Sequence, residues 1–333
     1  MSEAPIALLV IGAGPCGLAV GIAAAKAGIG CVILDRRTVV ATIERYPLGM
    51  TFFSTPERIE IGGVPLVTST EKPTRRDGLV YYRRVAEAFG LDIRVGEAVT
   101  GLALRADGAF DVHVKRANDV TAYVAERVVV ATGYYDNPNL IGVPGESLPH
   151  VSHYFVEGHR HYRQRVVIVG AGNSSVDAAL ECWRAGADVT LVHRGGALHP
   201  TVKPWVLPDI TNRLKEGSIG VRWHRTVTAI TPTHVQLVGP NGERDDLPAD
   251  AVLIMTGYRP DMSLLRALGV PIDAESGVPT HDPATLESPV PGLYIAGVLA
   301  GGNDDNRLFI ENTRQHGAQI VEHIRLQQPA ATP

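Results

Sequence analysis

The chain alternates between short apolar runs and glycine-marked breaks, and that rhythm predicts its architecture. Residues 6–11 are uniformly apolar and end at a glycine turn; an alanine-rich stretch follows over 18–27, and a second apolar run, 31–34, stops at Asp35. Runs that are apolar at consecutive positions belong to strands buried on both faces, as in parallel sheets. Ala19, Ala23, Ala24 and Ala25 keep the intervening helix thin enough to lie close to the sheet. The plan recurs as a strand over 166–169, a helix over 176–185 and a strand over 189–192. Two further runs end alike, Val128-Val129-Val130-Ala131-Thr132-Gly133 and Val252-Leu253-Ile254-Met255-Thr256-Gly257, and mark the crossings between domains. Beyond the second come Gly292-Leu293-Tyr294-Ile295-Ala296-Gly297, a polar glycine loop over 301–306, and a helical run over 307–326. The expected architecture is α/β, with one domain inserted into another.

The break after the first strand of each unit carries the candidate chemistry. The two breaks read Gly12-Ala13-Gly14-Pro15-Cys16-Gly17 and Gly170-Ala171-Gly172-Asn173-Ser174-Ser175. A lone G-x-G-x-x-G string is weak evidence; a strand before it, a helix after it and a selective residue at the next strand end make it a dinucleotide fingerprint. Gly12 makes the tight turn, Gly14 lets the backbone approach a pyrophosphate, and Gly17 allows close helix-on-strand packing. Backbone amides and the positive helix end hold the anion. Ser175 stands at the third glycine position of the second copy and is still small. Eighteen residues past each motif the copies diverge, to Asp35 in the first and to His193 followed by Arg194 in the second. A carboxylate there accepts hydrogen bonds from a ribose 2′-hydroxyl, whereas a guanidinium fork suits a 2′-phosphate. Two Rossmann-like dinucleotide-binding domains are therefore expected. Residues 1–140 and 262–333 would bind FAD, and the inserted residues 141–261 would bind NADPH. That pairing belongs to a flavin-dependent oxidoreductase.

Composition narrows the picture. The 333 residues suffice for two domains, and a net charge of −4 without blocks of like charge gives no reason to expect nucleic acid. The first strand begins almost at Met1 and is too short to cross a bilayer, so a cytoplasmic protein without leader or membrane anchor is expected. Cys16, Cys31 and Cys182 form no C-x-x-C pair and no disulfide scaffold. Cys31, opening a strand, and Cys182, within a helix, read as packing. Cys16 opens the first helix, where unpaired amides and the dipole favour a thiolate while a neighbouring pyrophosphate would oppose it. Sequence leaves that balance open. His150, His153, His159 and His161 lack zinc-ligand spacing, so no metal site is expected. Nothing resembles a serine triad or a phosphoryl-transfer loop.

These residues resemble the two-dinucleotide flavoprotein reductases of the thioredoxin reductase type over essentially the whole chain, the Gly292 to Gly297 run matching the segment that returns to the flavin. Two departures stand out: the inserted domain has no C-x-x-C, and Val298 stands where that segment usually continues with aspartate. A narrower resemblance, to the bacillithiol-disulfide reductases with their single cysteine in the first glycine motif, accounts for both. It is carried by Gly14-Pro15-Cys16-Gly17, Thr51-Phe52-Phe53-Ser54, Val202-Lys203-Pro204-Trp205-Val206-Leu207-Pro208 and Phe309-Ile310-Glu311-Asn312. The resemblance implies that Cys16 engages a low-molecular-weight disulfide, with electrons passing from NADPH through FAD. Beyond the glycine-motif residues, Asp35, His193 and Arg194, the expected cofactor contacts include Arg36, Thr51, Phe52, Thr132, Gly133, Lys203, Thr256, Gly257, Gly297, Phe309 and Ile310. The expected partner is a small-molecule disulfide, and a homo-oligomer is left open. Glu311 and His316 are weak candidates for the proton donor. The runner-up readings are a flavin monooxygenase, for which Phe155-x-x-Gly158-x-x-His161 has the wrong spacing, and a ferredoxin–NADP reductase, which also lacks the cysteine pair. A non-enzymatic NADP sensor ranks last, because two complete nucleotide sites imply electron transfer between them.

Overall fold

In the computed structural model, which describes residues 4–117, 119–304 and 307–327, the apolar runs form two separate five-stranded sheets. Asp305 and Asn306 of the polar glycine loop lie outside the described residues. The chain divides into two compact units. One comprises Met1–Arg45, Met50–Asn137 and Tyr258–Pro333; the other comprises Tyr46–Gly49 and Pro138–Gly257. The short excursion 46–49 has no signature in the hydrophobic pattern. Its Leu48 N–H donates to the Val156 carbonyl at 2.9 Å, a contact decided by tertiary structure.

In the first unit the strand order is Leu293–Ile295, Val128–Val130, Leu8–Ile11, Cys31–Asp35, Asp92–Val95, all parallel. Side chains alternate across a strand, so a sheet covered on both sides needs apolar residues at every position. Leu9, Ile11, Val32, Leu34, Val128 and Val130 pack with Phe110, Val112 and Val114 of an antiparallel sheet formed by Glu97–Leu104, Phe110–Arg116 and Asp119–Ala125. Leu8, Val10, Ile33 and Val129, equally buried, belong to the opposite face. Helix Pro15–Lys26 lies against that face so closely that a Cβ on Gly21 would come within 2.7 Å of Ile33 Cδ1.

The second unit repeats the plan, with strand order Gly220–Trp223, Asp188–His193, Arg165–Val169, Ala251–Ile254, Val151–Ser152, again all parallel. Val166 and Ile168 face Val176, Ala179 and Leu180 of helix Asn173–Arg184. Val167, Val192, Val252 and Ile254 face Val227, Val235 and Leu237 of the antiparallel sheet Thr226–Ile230, His234–Val238 and Arg244–Pro248. Full burial of each such side chain is worth about 1.5–3 kcal/mol.

Several expected boundaries shift. The first strand is Leu8–Ile11, Ile6 making only an isolated bridge with Ala125. Both loop helices begin three residues earlier than the apolar pattern implied, at Pro15 and Asn173. Proline is well suited to a first helical position because its missing N–H would be unpaired there anyway. The final helical run is split into Ile310–Thr313 and His316–Gln327. No described helix is long and apolar enough to cross a membrane.

Candidate functional site

The first glycine loop is built by three different constraints on its glycines. Gly12 has φ +112, and a Cβ on it would lie 2.5 Å from the Ala131 carbonyl oxygen, so the segment leading to Thr132 and Gly133 sits directly over it. A Cβ on Gly17 would lie 1.9 Å from the Gly12 carbonyl oxygen, which welds helix to strand. Gly14 is different: a Cβ there would meet no protein atom within 4 Å, and its backbone is ordinary extended chain with φ −72 and ψ 174. Neither packing nor backbone conformation requires glycine at that position, so the open cradle fits a close-approaching ligand.

The helix that follows offers that ligand an unneutralised end. Gly14 is its N-cap without a side-chain cap, and its first turn holds no acid. Leu18 N–H is held by Gly14 O at 2.9 Å and Pro15 has no N–H, so the Cys16 and Gly17 amides lack an intrahelical acceptor. Such a terminus binds phosphate. At the neighbouring strand end Asp35 accepts from Ala13 N–H at 2.9 Å and Arg37 N–H at 2.8 Å, which fixes its carboxylate beside the loop. Burial pushes its pKa up, against those two bonds and Arg36. Arg36 pairs with Asp136, which also takes Arg45 and, at 3.7 Å, Arg37.

Cys16 sits in the first helical turn beneath the return segment. Its Sγ donates to the Thr313 carbonyl at 3.3 Å, and a Cβ on Gly297, whose φ is +77, would lie 3.5 Å from the sulfur. Burial pushes the Cys16 thiol up to about 12, against the hydrogen bond to Thr313. The half-buried side chain is therefore a protonated thiol at neutral pH. Gly297 N–H donates to His316 Nδ1 at 3.1 Å, and burial brings His316 down to about 4, so its ring is neutral at pH 7 and its Nδ1 lone pair is already engaged. This weakens His316 as a proton donor from that nitrogen.

The short helix that presents Thr313 is clamped from outside. Glu311 accepts from Ser54 Oγ at 2.7 Å and Arg58 at 3.2 Å, and Arg314 donates to the carbonyls of Glu57 and Glu60. Phe309 N–H donates to Asn312 Oδ1 at 2.7 Å, and Ile310 opens the helix. Thr313 and Arg314 were missed by sequence reasoning, which had no signal linking them to residues about 300 and 255 positions away. Glu311 is committed to Ser54 and Arg58, which weakens it as a free acid. Phe52 is buried against Gly78, whose Cβ would come within 2.8 Å of its ring. Thr51 is exposed and bridges Thr74.

The second loop in its own unit follows the same logic. Gly170, at φ +131, would clash with the Met255 carbonyl 2.4 Å away, whereas Gly172, an N-cap without a side-chain cap, would meet nothing within 4 Å. Ser175 replaces the third glycine without loss because its buried hydroxyl donates to Met255 O at 3.3 Å. Asn173 ties the loop to the 199–203 segment, donating to Thr201 O at 3.1 Å and accepting from Lys203 N–H at 3.0 Å; Ser174 is exposed. His193 lies edge-on to Trp223, with ring centres 6.2 Å apart. Arg194 is exposed and makes no ion pair among the described residues. Thr256 and Gly257 are tied to Asn139: the Thr256 hydroxyl donates to Asn139 O at 2.7 Å, its carbonyl accepts from Asn139 Nδ2, and Gly257 O accepts from Asn139 N–H. Among the described residues no group of three or more His, Cys, Asp and Glu side chains could hold a metal ion.

Comparison with known proteins agrees with this geometry. The family model described as pyridine nucleotide-disulphide oxidoreductase matches residues 9–297. The bacilliredoxin reductase Bdr of Bacillus subtilis (strain 168) is 40% identical over 316 residues, covering 95% of this chain and 96% of that protein. Solved structures of bacillithiol disulfide reductase Bdr from Bacillus cereus and Staphylococcus aureus superpose with TM-scores of 0.95 and 0.92, at 40% and 38% identity. Each alignment covers 98% of this chain and all of the other.

Proposed function

The chain belongs to the pyridine nucleotide-disulphide oxidoreductase family, flavoprotein enzymes that use a nicotinamide nucleotide, and from that premise we propose that it binds FAD and NADPH and reduces a small disulfide of the bacillithiol kind through Cys16. The observation that carries the proposal is the position of Cys16. It is the only one of the three cysteines whose backbone belongs to an open phosphate cradle. Cys182 is fully buried in the second unit's core, and Cys31 opens a strand.

FAD and NADPH, when bound, supply the hydride and electron chemistry, and the protein supplies binding and alignment. In this reading the Cys16 and Gly17 amides hold the FAD pyrophosphate over Gly14, and Asp35 accepts from the adenosine ribose. The loop at Gly172 and the guanidinium of Arg194 do the corresponding work for NADPH. Thr313 holds the Cys16 proton by a hydrogen bond, and its carbonyl cannot take that proton away. Since exchange with a disulfide needs a thiolate, the half-buried thiol, protonated at rest, must lose its proton during turnover.

Two measurements test the cofactor assignment. Heat should release FAD from the purified protein; FMN would defeat the role given to Asp35, since FMN has no adenosine ribose. Arg194→Ala should raise the KM for NADPH roughly tenfold, the cost of one charged hydrogen bond to phosphate, and leave NADH nearly unchanged. An equal rise with both coenzymes would make Arg194 part of the scaffold only.

A further inference from the structure

The segment that carries Thr313 lies in the first unit between two firmly packed anchors. Before it, Gly302 has φ +65, and a Cβ there would lie 2.5 Å from Ser276 O. After it, a Cβ on Gly317 would lie 2.4 Å from Ala19 O, and helix His316–Gln327 buries Ile320, Val321 and Ile324. Between the anchors packing is thin: among the described residues from 303 to 315, Thr313 alone is buried. Helix Ile310–Thr313 is four residues long, too short to repay the cost of nucleating a helix by itself. Segments with few buried apolar contacts and solvent-exposed hydrogen bonds are the ones that open locally.

Polar bonds to the 54–60 segment hold this helix in place, and they are unequal. Arg58 pairs with Glu311 at 3.2 Å but is 66% exposed, and an ion pair in water adds little. Ser54 Oγ donates to the other carboxylate oxygen at 2.7 Å in a partly buried, charge-assisted bond that carries more. Arg314 ties the far end of the helix to Glu57 O and Glu60 O. The sulfur of Cys16, 3.3 Å from Thr313 O, has to leave that carbonyl before it can present itself to a disulfide.

We propose that Glu311 is a positioning residue, the latch of a cover on Cys16: bound to Ser54, it keeps helix Ile310–Thr313 against the sulfur, and release of that helix frees the thiol for disulfide exchange. The part played in turnover rests on the reading of Cys16 given above; the cover does not. Release breaks a few polar contacts and leaves the glycine loop and helix His316–Gln327 packed. The rate of any reaction at the sulfur is then the fraction of open molecules multiplied by the reactivity of the freed thiol. Loss of the latch raises that rate by the same factor at every pH. A Glu311 that served as a base would do the opposite, since its removal would slow the sulfur and flatten the pH profile.

The test is isotope-coded alkylation of the FAD-loaded protein from pH 7 to 9, read at each cysteine by peptide mass spectrometry. In Glu311→Ala, Cys16 should be labelled roughly tenfold faster than in the parent at every pH, the factor expected for one charged hydrogen bond. Ser54→Ala should give most of that gain, and it reads the same contact if Glu311→Ala fails to fold. The double variant should go no further than Glu311→Ala alone, and Arg58→Ala should change the rate by no more than about threefold. Glu311→Gln, which keeps an acceptor for Ser54, should restore part of the protection. Labelling of Cys31, on a strand outside the cover, should stay at its parental rate. Unchanged or slower labelling of Cys16 in Glu311→Ala and Ser54→Ala would overturn the latch, as would a joint rise at Cys16 and Cys31, the mark of a generally loosened unit. Faster labelling of Cys16 alone, combined with parental disulfide turnover in Cys16→Ala, would uphold the cover and overturn the catalytic reading of Cys16.

Discussion

Gly14 and Gly17 are three residues apart in one motif, yet alanine should have opposite consequences at the two positions. At Gly17 the new methyl would lie 1.9 Å from Gly12 O and 3.1 Å from Gly12 C. Carbon contacts are comfortable only near 3.5 Å, so helix and loop would have to part by roughly 1.5 Å. The obstacle is backbone, with no side chain to swing aside, and the cost falls at the upper end of overpacking, about 3 kcal/mol or more. At Gly14 the methyl meets nothing within 4 Å and the backbone is already in a region open to alanine. The gain from restricting the unfolded chain, about 0.4–1 kcal/mol, is offset by the poorer helix capping of alanine, so the flavin-free fold should change by no more than about 1 kcal/mol. The same methyl would fill the cradle and should weaken FAD by tenfold or more, equivalent to about 1.4 kcal/mol. The assay is denaturant unfolding of flavin-stripped protein together with fluorescence titration of FAD for each variant. If Gly14→Ala destabilises the flavin-free fold as severely as Gly17→Ala, or binds FAD with parental affinity, the open cradle is not a binding surface and the reasoning fails.

Two further outcomes follow from titrating groups. Asp177 is pushed from 3.8 up to about 6, by burial and then by Glu181 one turn along the same helix. A raised carboxyl contributes stability that is complete below 3.8 and lost as pH climbs through 6. The shift corresponds to about 3 kcal/mol at most, less after allowance for partial exposure, so Asp177→Asn should stabilise by about 1–2 kcal/mol at pH 8 and less at pH 4.5. Melting temperatures at the two pH values decide it, and a gain confined to the acid side contradicts the assignment. For Cys16, alkylation followed by peptide mass spectrometry should show a rate that climbs about tenfold per pH unit from 7 to 9.5, because the thiol lies near 12. A plateau by pH 8 would mean that the helix end, and not burial, controls this thiol.

The sheets were legible because burial on both faces leaves consecutive apolar residues, as in Leu8–Ile11 and Ala251–Ile254. The glycine loops were legible because steric demands at Gly12, Gly17 and Gly170 admit no side chain. The antiparallel strands were not, since a strand such as Asp119–Ala125 is exposed over its first four residues and mixes polar with apolar positions. The environment of Cys16 was also hidden. Its proton acceptor, Thr313 O, is a backbone atom 297 residues away, and the Ser54–Glu311–Arg58 clamp that steadies it unites segments with no shared pattern. Local sequence therefore located the cysteine and could not foretell that burial would dominate its acidity.

The most direct test of the account is to separate the two halves of the reaction in Cys16→Ala. The flavin-loaded variant should retain its FAD, because the backbone amides of the cradle remain, and NADPH should still bleach the flavin in rapid mixing at close to the parental rate. Steady-state reduction of bacillithiol disulfide should fall by at least a hundredfold on the order-of-magnitude scale of losing an essential group, while Cys31→Ala and Cys182→Ala retain most of it. Disulfide turnover in Cys16→Ala at the parental rate would contradict the central claim and reduce Cys16 to a space-filling residue.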